Sequence, residues 1–204
     1  MLHAVPAALS NEVSLQDQPI DAQDFLGSQS VRRDIAAGNL SLAMVRPYLR
    51  GSVLAQGSEE ELSSIVESEI VGLGIQAKTR VVFDASSVES FYSELRDGPQ
   101  TTIRPSKIFT LKNRWEEFVH IMTSGPTTVL LLHSPDGDAI EKWRAQIGHW
   151  NVESQRDRNT LRGKYAVSNF NNLVHGSDSP EAILRELEII RRAIGRTGVI
   201  QAGY

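Results

Sequence analysis

Apolar positions along this chain alternate between two spacings, one suited to strands and one to helices. Leu40–Val45 is an apolar run of strand length. Beyond it, Ser58 and Glu61 form an S-x-x-E capping pair, and Leu62, Ile65, Val66, Ile70 and Leu73 follow at helical spacing, with Gly74 closing the helix. Residues 75–83 read as a strand. A second capping pair, Ser86 with Glu89, opens a short helix predicted through Leu95. Gly98, Pro99 and Pro105 make residues 97–110 a loop. Residues 114–122 read as another short helix, and Gly125-Pro126 turns the chain into the strand Thr127–His133. Asp136-Gly137 turns it again, into the helix Ala139–Ile147, followed by a polar loop over 151–160. A strand near 165–167 leads towards His175.

The last helix has the clearest signal. Ser179 caps it, Pro180 occupies its first turn, and Ile183, Leu187, Ile190 and Ile194 share one face. Glu181/Arg185 and Glu188/Arg192 are i,i+4 pairs, each worth about 0.2–0.5 kcal/mol. Strands alternating with helices predict an α+β sandwich, a small and mainly antiparallel sheet covered by helices. Residues 1–38 are polar and weakly periodic. They read as an N-terminal extension in which Arg32, Arg33 and Asp34 begin at most a short docked helix. Residues 39–195 form the domain and 196–204 a short tail.

Composition narrows the function classes. The 204 residues suffice for one domain with a real core, and 40% hydrophobic with 23% charged residues is ordinary for a soluble protein. A net charge of −4 makes nucleic acid an unexpected partner. The absence of cysteine excludes disulfides, thiol catalysis and cysteine-ligated metal, and fits a reducing compartment. No apolar run approaches membrane-spanning length. Residues 1–10 lack the basic start and long apolar stretch of a secretory signal, and Glu12, Asp17, Asp21 and Asp24 are out of place in a transit peptide. A cytoplasmic location is the expectation.

The candidate chemistry lies in Asn172-Leu173-Val174-His175-Gly176-Ser177-Asp178-Ser179, directly before Pro180. It places an imidazole just ahead of a helix N-terminus, where unpaired N–H groups and a partial positive charge favour phosphate. A neutral imidazole there is able to accept a phosphoryl group and pass it on. No G-x-x-x-x-G-K-[ST] loop is present, so a P-loop cradle is not the phosphate site. His120, His133 and His149 show no zinc-ligand spacing and are read as non-catalytic. Trp143 reads as core or rim, and Arg156-Asp157-Arg158 as a solvated loop face.

The octet resembles the N-x-x-H-G-S-D-S active-site signature of the nucleoside diphosphate kinases. The similarity runs from about Leu40 to Ile194. Residues 41–47 resemble the family's first strand and its Lys-Pro. Residues 88–95, with Phe91-Tyr92, resemble the helix that carries a family tyrosine. Residues 122–126 resemble its M-x-S-G-P turn, and Thr160-Leu161-Arg162-Gly163 its T-I-R-G. The resemblance implies a ferredoxin-like βαββαβ core and transfer of the γ-phosphoryl of ATP, GTP or another nucleoside triphosphate to a nucleoside diphosphate. It implies a phosphohistidine relay, magnesium on the nucleotide phosphates, and homo-oligomers. By this resemblance His175 is the phosphorylated residue and Glu186 orients it. Arg144 and Arg162 contact phosphate, Asn172 lies near the ribose, Tyr92 stands beside the histidine, and Ser177 bonds near the glutamate.

The chain departs from the family pattern in places. Arg46 stands where the family has a lysine, and its guanidinium is a planar fork rather than a point charge. Trp150 falls at a phosphate-binding threonine. The base-stacking aromatic falls at Arg114 or Trp115, of which Trp115 is the better platform. The segment between Tyr92 and Met122 is long, and the chain ends at Tyr204, soon after the last helix, which bears on assembly size. Two function classes stand at this point. One is an active kinase; the other is a nucleotide-binding scaffold or interaction module of the same fold.

Overall fold

Three antiparallel pairings build one four-stranded sheet. β1 (Leu40–Val45) pairs on one side with β3 (Thr127–His133) and on the other with β4 (Val174–Gly176), while β3 also pairs with β2 (Gly74–Val81). The order is β2-β3-β1-β4, so β2 and β4 are the edges. The computed structural model describes residues 22–47, 59–93 and 114–197. Helix α3 (Glu59–Ser68) connects β1 to β2, and α6 (Ala139–Ile147) with α7 (Leu161–Tyr165) connects β3 to β4. This is the ferredoxin-like βαββαβ arrangement. Between β2 and β3 stand α4 (Ala85–Phe91) and α5 (Trp115–Met122). Two short helices, α1 (Ala22–Leu26) and α2 (Gln29–Ala36), precede the sheet, and α8 (Pro180–Thr197) follows it.

Both faces of the sheet are covered, which is why every residue of β1 is buried, Ser41 included, rather than alternate ones. Leu40, Leu42 and Met44 enter the larger core with residues of α2, α4, α5 and α8. Ala43 and Val45 enter a smaller core with Val66, Trp143, Ile147 and Leu161 on the opposite face. In α8, Ile183, Leu187, Ile190 and Ile194 are buried as their spacing predicts. The Ser179 hydroxyl accepts from the Ala182 N–H at 3.1 Å, and the Glu188–Arg192 pair forms at 3.1 Å. Arg185 reaches within 4.0 Å of Glu186. Among the described residues no helix is long and apolar enough to cross a membrane.

The structure departs from the sequence reading at several boundaries. Helix α3 stops at Ser68 instead of running to Leu73. Its last turn tightens, with the Glu69 and Ile70 N–H groups bonding the carbonyls of Val66 and Glu67, three residues back. The positive φ that reverses the chain is at Gly72 (+68°), and Gly74 begins β2. Ile70 and Leu73 still pack on the smaller core, so their burial suits a turn as well as a helix. Ser58 lies outside the described residues, as do Leu95 and the 97–110 loop. No strand forms over 165–167. Instead α7 occupies 161–165, capped by Thr160, whose hydroxyl accepts from the Gly163 N–H at 3.2 Å. Arg156 is more than a solvated face: its guanidinium donates to the Gly163 and Ala166 carbonyls at 3.1 and 3.0 Å, closing the end of α7. The chain before β1 joins the core from α1 onward, since Leu26, Val31 and Ile35 are buried and α1 and α2 both pack on α8.

The cap of α4 is Asp84, not Ser86. Its carboxylate accepts from the Ser87 N–H at 2.7 Å and from the Ser86 hydroxyl at 2.9 Å. Hydrogen bonds from Ser87, then Ser86, hold its pKa down at about 2, below the usual 3.8. A depressed carboxylate stabilises the fold above its unfolded pKa and loses that contribution as pH falls through the folded one. Asp84→Ala is expected to cost about 0.5–2 kcal/mol at neutral pH, towards the low end because the side chain is exposed. The gap from the parent is expected to close as pH falls from about 4 to about 2, as read by urea unfolding at a series of pH values.

Candidate active site

The chain enters β4 through a strained residue. Leu173 is buried and has φ +67°, a left-handed conformation that a branched side chain rarely adopts and that costs about 1–3 kcal/mol. The turn is tied on both sides. The Leu173 carbonyl accepts from the Arg46 N–H at 2.8 Å, and the Asn172 carbonyl from the Val174 N–H at 2.8 Å. His175 then lies opposite Met44 in the ladder, so its ring shares the face of Met44 and the larger core. On that face it meets α4 and α8.

Glu186 of α8 takes hold of the ring. His175 Nε2 and the Ser177 hydroxyl, at 3.1 and 2.5 Å, both converge on Glu186 Oε2. The Glu186 side chain is 6% exposed and that of His175 16% exposed. A buried carboxylate facing Nε2 favours the proton there, which leaves the Nδ1 lone pair available to an incoming electrophile. Two aromatic edges fix the ring plane. Phe91 lies 5.3 Å from the imidazole at 72°, and Tyr92 5.9 Å away at 85°. Burial raises the Tyr92 pKa; Arg46 opposes that shift and Glu186 adds to it. Tyr92 therefore stays a neutral phenol at neutral pH.

Three guanidinium groups gather beside this histidine. Arg46 follows β1, Arg144 lies on α6 and Arg162 on α7. Desolvation first, then the charges of Arg46 and Arg144, lowers the Arg162 pKa to about 9. The Arg162 fork is already aimed. It donates to the Gly148 carbonyl at 2.9 Å and to the Val174 carbonyl at 3.0 and 3.3 Å, leaving its other N–H donors for a ligand. Among the described residues no carboxylate pairs with any of the three. Like charges held together at this cost form a site for a polyanion. Among the described residues the buried Oδ1 of Asn172 has no partner, while its Nδ2 donates to the Asn169 carbonyl at 2.9 Å. A ligand hydroxyl would satisfy that oxygen.

The structure thus brings together His175, Glu186, Ser177 and Tyr92, and beside them Arg46, Arg162 and Arg144. The tryptophans stand differently. Trp115 is partly buried, 5.7 Å from Phe118, which is 4.8 Å from Tyr92, so an aromatic chain runs from it to His175. Arg114, the other residue at that position, is engaged with Glu117 and lies 4.5 Å over the Phe170 ring. Trp150 is half-buried with its ring 5.7 Å from that of His149. Arg46 lies 5.9 Å over Phe118, so an aromatic face backs the cation that stands in the lysine's place.

Two residues that touch His175 escape a sequence reading. Phe91 is signalled only by its adjacency to Tyr92. Trp143 is fully buried, and its indole N–H donates to the His175 carbonyl at 3.1 Å. The one trace of it in the sequence is Gly176: a Cβ there would lie 2.6 Å from the Trp143 ring. The glycine after the histidine is therefore a packing requirement.

Comparison with known proteins agrees with this geometry. The family model described as nucleoside diphosphate kinase matches residues 40–193. A nucleoside diphosphate kinase of Corynebacterium diphtheriae is 33% identical over 125 residues, covering 61% of this chain and 80% of that protein. One from Maricaulis maris is 34% identical over 119 residues, covering 58% and 73%. Among solved structures, the Aquifex aeolicus nucleoside diphosphate kinase superposes with a TM-score of 0.55 at 26% identity, covering 74% of this chain and 94% of that one. The Encephalitozoon cuniculi enzyme shares the fold, with a TM-score of 0.55 at 23% identity over 74% and 87% of the two chains. The matched stretch begins at β1 and ends within α8, enclosing every group around His175, and on that ground the chain belongs to the nucleoside diphosphate kinase family.

Proposed function

We propose that this nucleoside diphosphate kinase carries the phosphoryl group on Nδ1 of His175. The observation that supports the reading is the pairing of a ring held through Nε2 by a buried carboxylate with three guanidiniums that lack a carboxylate partner among the described residues. In the first half-reaction the Nδ1 lone pair attacks the γ-phosphorus of a nucleoside triphosphate. The bond from that phosphorus to the bridging oxygen breaks, and the diphosphate leaves with the electron pair. The positive charge that develops on the ring is balanced by Glu186 through the Nε2–H bond. The migrating PO₃ unit spreads negative charge over its equatorial oxygens, where Arg162, Arg144 and Arg46 act as preorganised donors. A nucleoside diphosphate then enters the same site and the steps run in reverse, which gives ping-pong kinetics.

Other groups take supporting roles. Asn172 Oδ1 accepts from a sugar hydroxyl, the Tyr92 phenol bounds the phosphate side, and Trp115 offers a stacking face for the base. Trp150 borders the phosphate end of the site after α6. Among the described residues no three acidic or histidine side chains are grouped to hold a metal ion. In this reading magnesium enters on the nucleotide phosphates, where it would neutralise charge. Residues 39–195 form the catalytic domain, onto which α1 and α2 of the preceding segment pack, in a cytoplasmic setting. Ile75 in the edge strand β2, with Val71 and Val82 just beyond its two ends, is exposed and supports association into a homo-oligomer.

Incubation with ATP labelled at the γ-position is expected to leave acid-labile, base-stable label on the protein. GDP is expected to remove it, with the label appearing in GTP. Absence of label at high protein and ATP concentration would refute the kinase chemistry and leave a nucleotide-binding module.

A further inference from the structure

We infer that Trp143 is a positioning residue for the reaction at His175. β4 is only three residues long and, among the described residues, lies at the sheet edge and pairs only with β1. Such a strand has unpaired groups on its outer side and little to resist sliding. Two side chains reinforce it. Arg162 takes the outward Val174 carbonyl, and Trp143 Nε1 donates at 3.1 Å to the His175 carbonyl, as a second donor beside the Met44 N–H that the register sets against it. The indole also closes on Gly176, where even a Cβ would approach it to 2.6 Å. Trp143 is 0% exposed, so water does not replace this donor.

The grip on the nucleophile is therefore two-sided. On one face of the sheet Glu186, Phe91 and Tyr92 hold the imidazole ring. On the other, Trp143 holds the main chain of the same residue. Its helix α6 is seated by Ile147 in the smaller core together with Leu130, Leu132 and Val174. Arg144 is the next residue on that helix, so the indole also sets the distance between the nucleophile's backbone and one cation of the phosphate cluster. Glu186 alone leaves that distance free, because it fixes how the ring is turned but not where β4 lies. Near-attack geometry is demanding: a displacement of about 1 Å costs about a hundredfold in rate.

The inference rests on His175 being the phosphoryl carrier, and the experiment separates the two. Benzothienylalanine placed at position 143 keeps the ring and replaces the N–H by sulfur. The expected result is a phosphorylation rate constant with ATP that falls about ten- to a hundredfold. KM is expected to stay within about twofold, because binding of the nucleotide phosphates is not the contact removed. In the protein without nucleotide, the His175 ring resonances are expected to shift by ¹H–¹⁵N NMR. Trp143→Phe is expected to show the same rate loss together with a lower Tm. An unchanged rate and unchanged His175 resonances in the benzothienylalanine protein, with only Trp143→Phe destabilised, would reduce Trp143 to packing. If the parent protein takes no label, the assignment of His175 falls, and the NMR comparison still decides whether Trp143 positions its ring.

Discussion

His175→Ala is expected to abolish covalent labelling by γ-labelled ATP and to leave the protein folded. The loss is total because no other group around the site offers a neutral nitrogen held by a carboxylate. The His120, His133 and His149 side chains have no such partner among the described hydrogen bonds. The change leaves Glu186 with the Ser177 hydroxyl as its short contact at Oε2. Removing one donor from a buried carboxylate costs about 1–3 kcal/mol, so Tm falls without loss of the cooperative transition. Label that persists at parental level in His175→Ala would place the nucleophile elsewhere. Labelling stoichiometry and a thermal melt on the same sample make the test.

The second large effect is expected at Arg162. Its fork joins α7 to β4 and to the Gly148 carbonyl at the end of α6, and in the proposed reaction its remaining donors hold the anion. Arg162→Ala is expected to lower kcat by about 10²–10³, the range for loss of one preorganised donor to a transition-state oxygen. Arg162→Lys is expected to recover little of this. An ammonium keeps the charge but does not span two carbonyls and a phosphate at once. A Lys variant at parental rate would show that charge alone suffices.

The pH response of Arg162 has a definite sign. Its folded pKa, about 9, lies well below the usual arginine value. The depressed value means the fold disfavours the charged form. That penalty is present in full below pH about 9 and fades as pH rises towards the unfolded pKa. A polyanion reverses the effect by rewarding the charge. Nucleotide affinity is therefore expected to weaken above pH about 9, with proton uptake on binding there. Titration calorimetry in buffers of different ionisation enthalpy reads both.

Much of the architecture was legible along the chain because its signals are local. β1, β3, α6 and α8 lie where their apolar spacing and turn residues predict, with Ser179 capping and Pro180 starting α8. The errors share one cause. A capping pair such as Ser86–Glu89 is a local pattern, and it loses to Asp84, which offers a carboxylate two residues earlier. The helix over-run to Leu73 and the absent strand at 165–167 arise because apolar residues bury equally well from a turn or a helix. The depth at which α1 and α2 are buried had no local signal, since Val31 and Ile35 acquire their burial from α8.

The eight-residue motif around His175, with Arg144, Arg162 and Glu186, carries the family resemblance along the chain and supplies the proposed phosphoryl carrier. Those residues are a linear record of side-chain chemistry. Distances between segments remote in sequence were decided only by the fold. They include the 3.1 Å from Glu186 that leaves Nδ1 free, the mutual repulsion of three arginines from three elements, and the indole of α6 beneath the nucleophile's carbonyl. The physical reason is that local preferences act over a few residues, whereas a site on an edge strand is assembled from both layers that close round it.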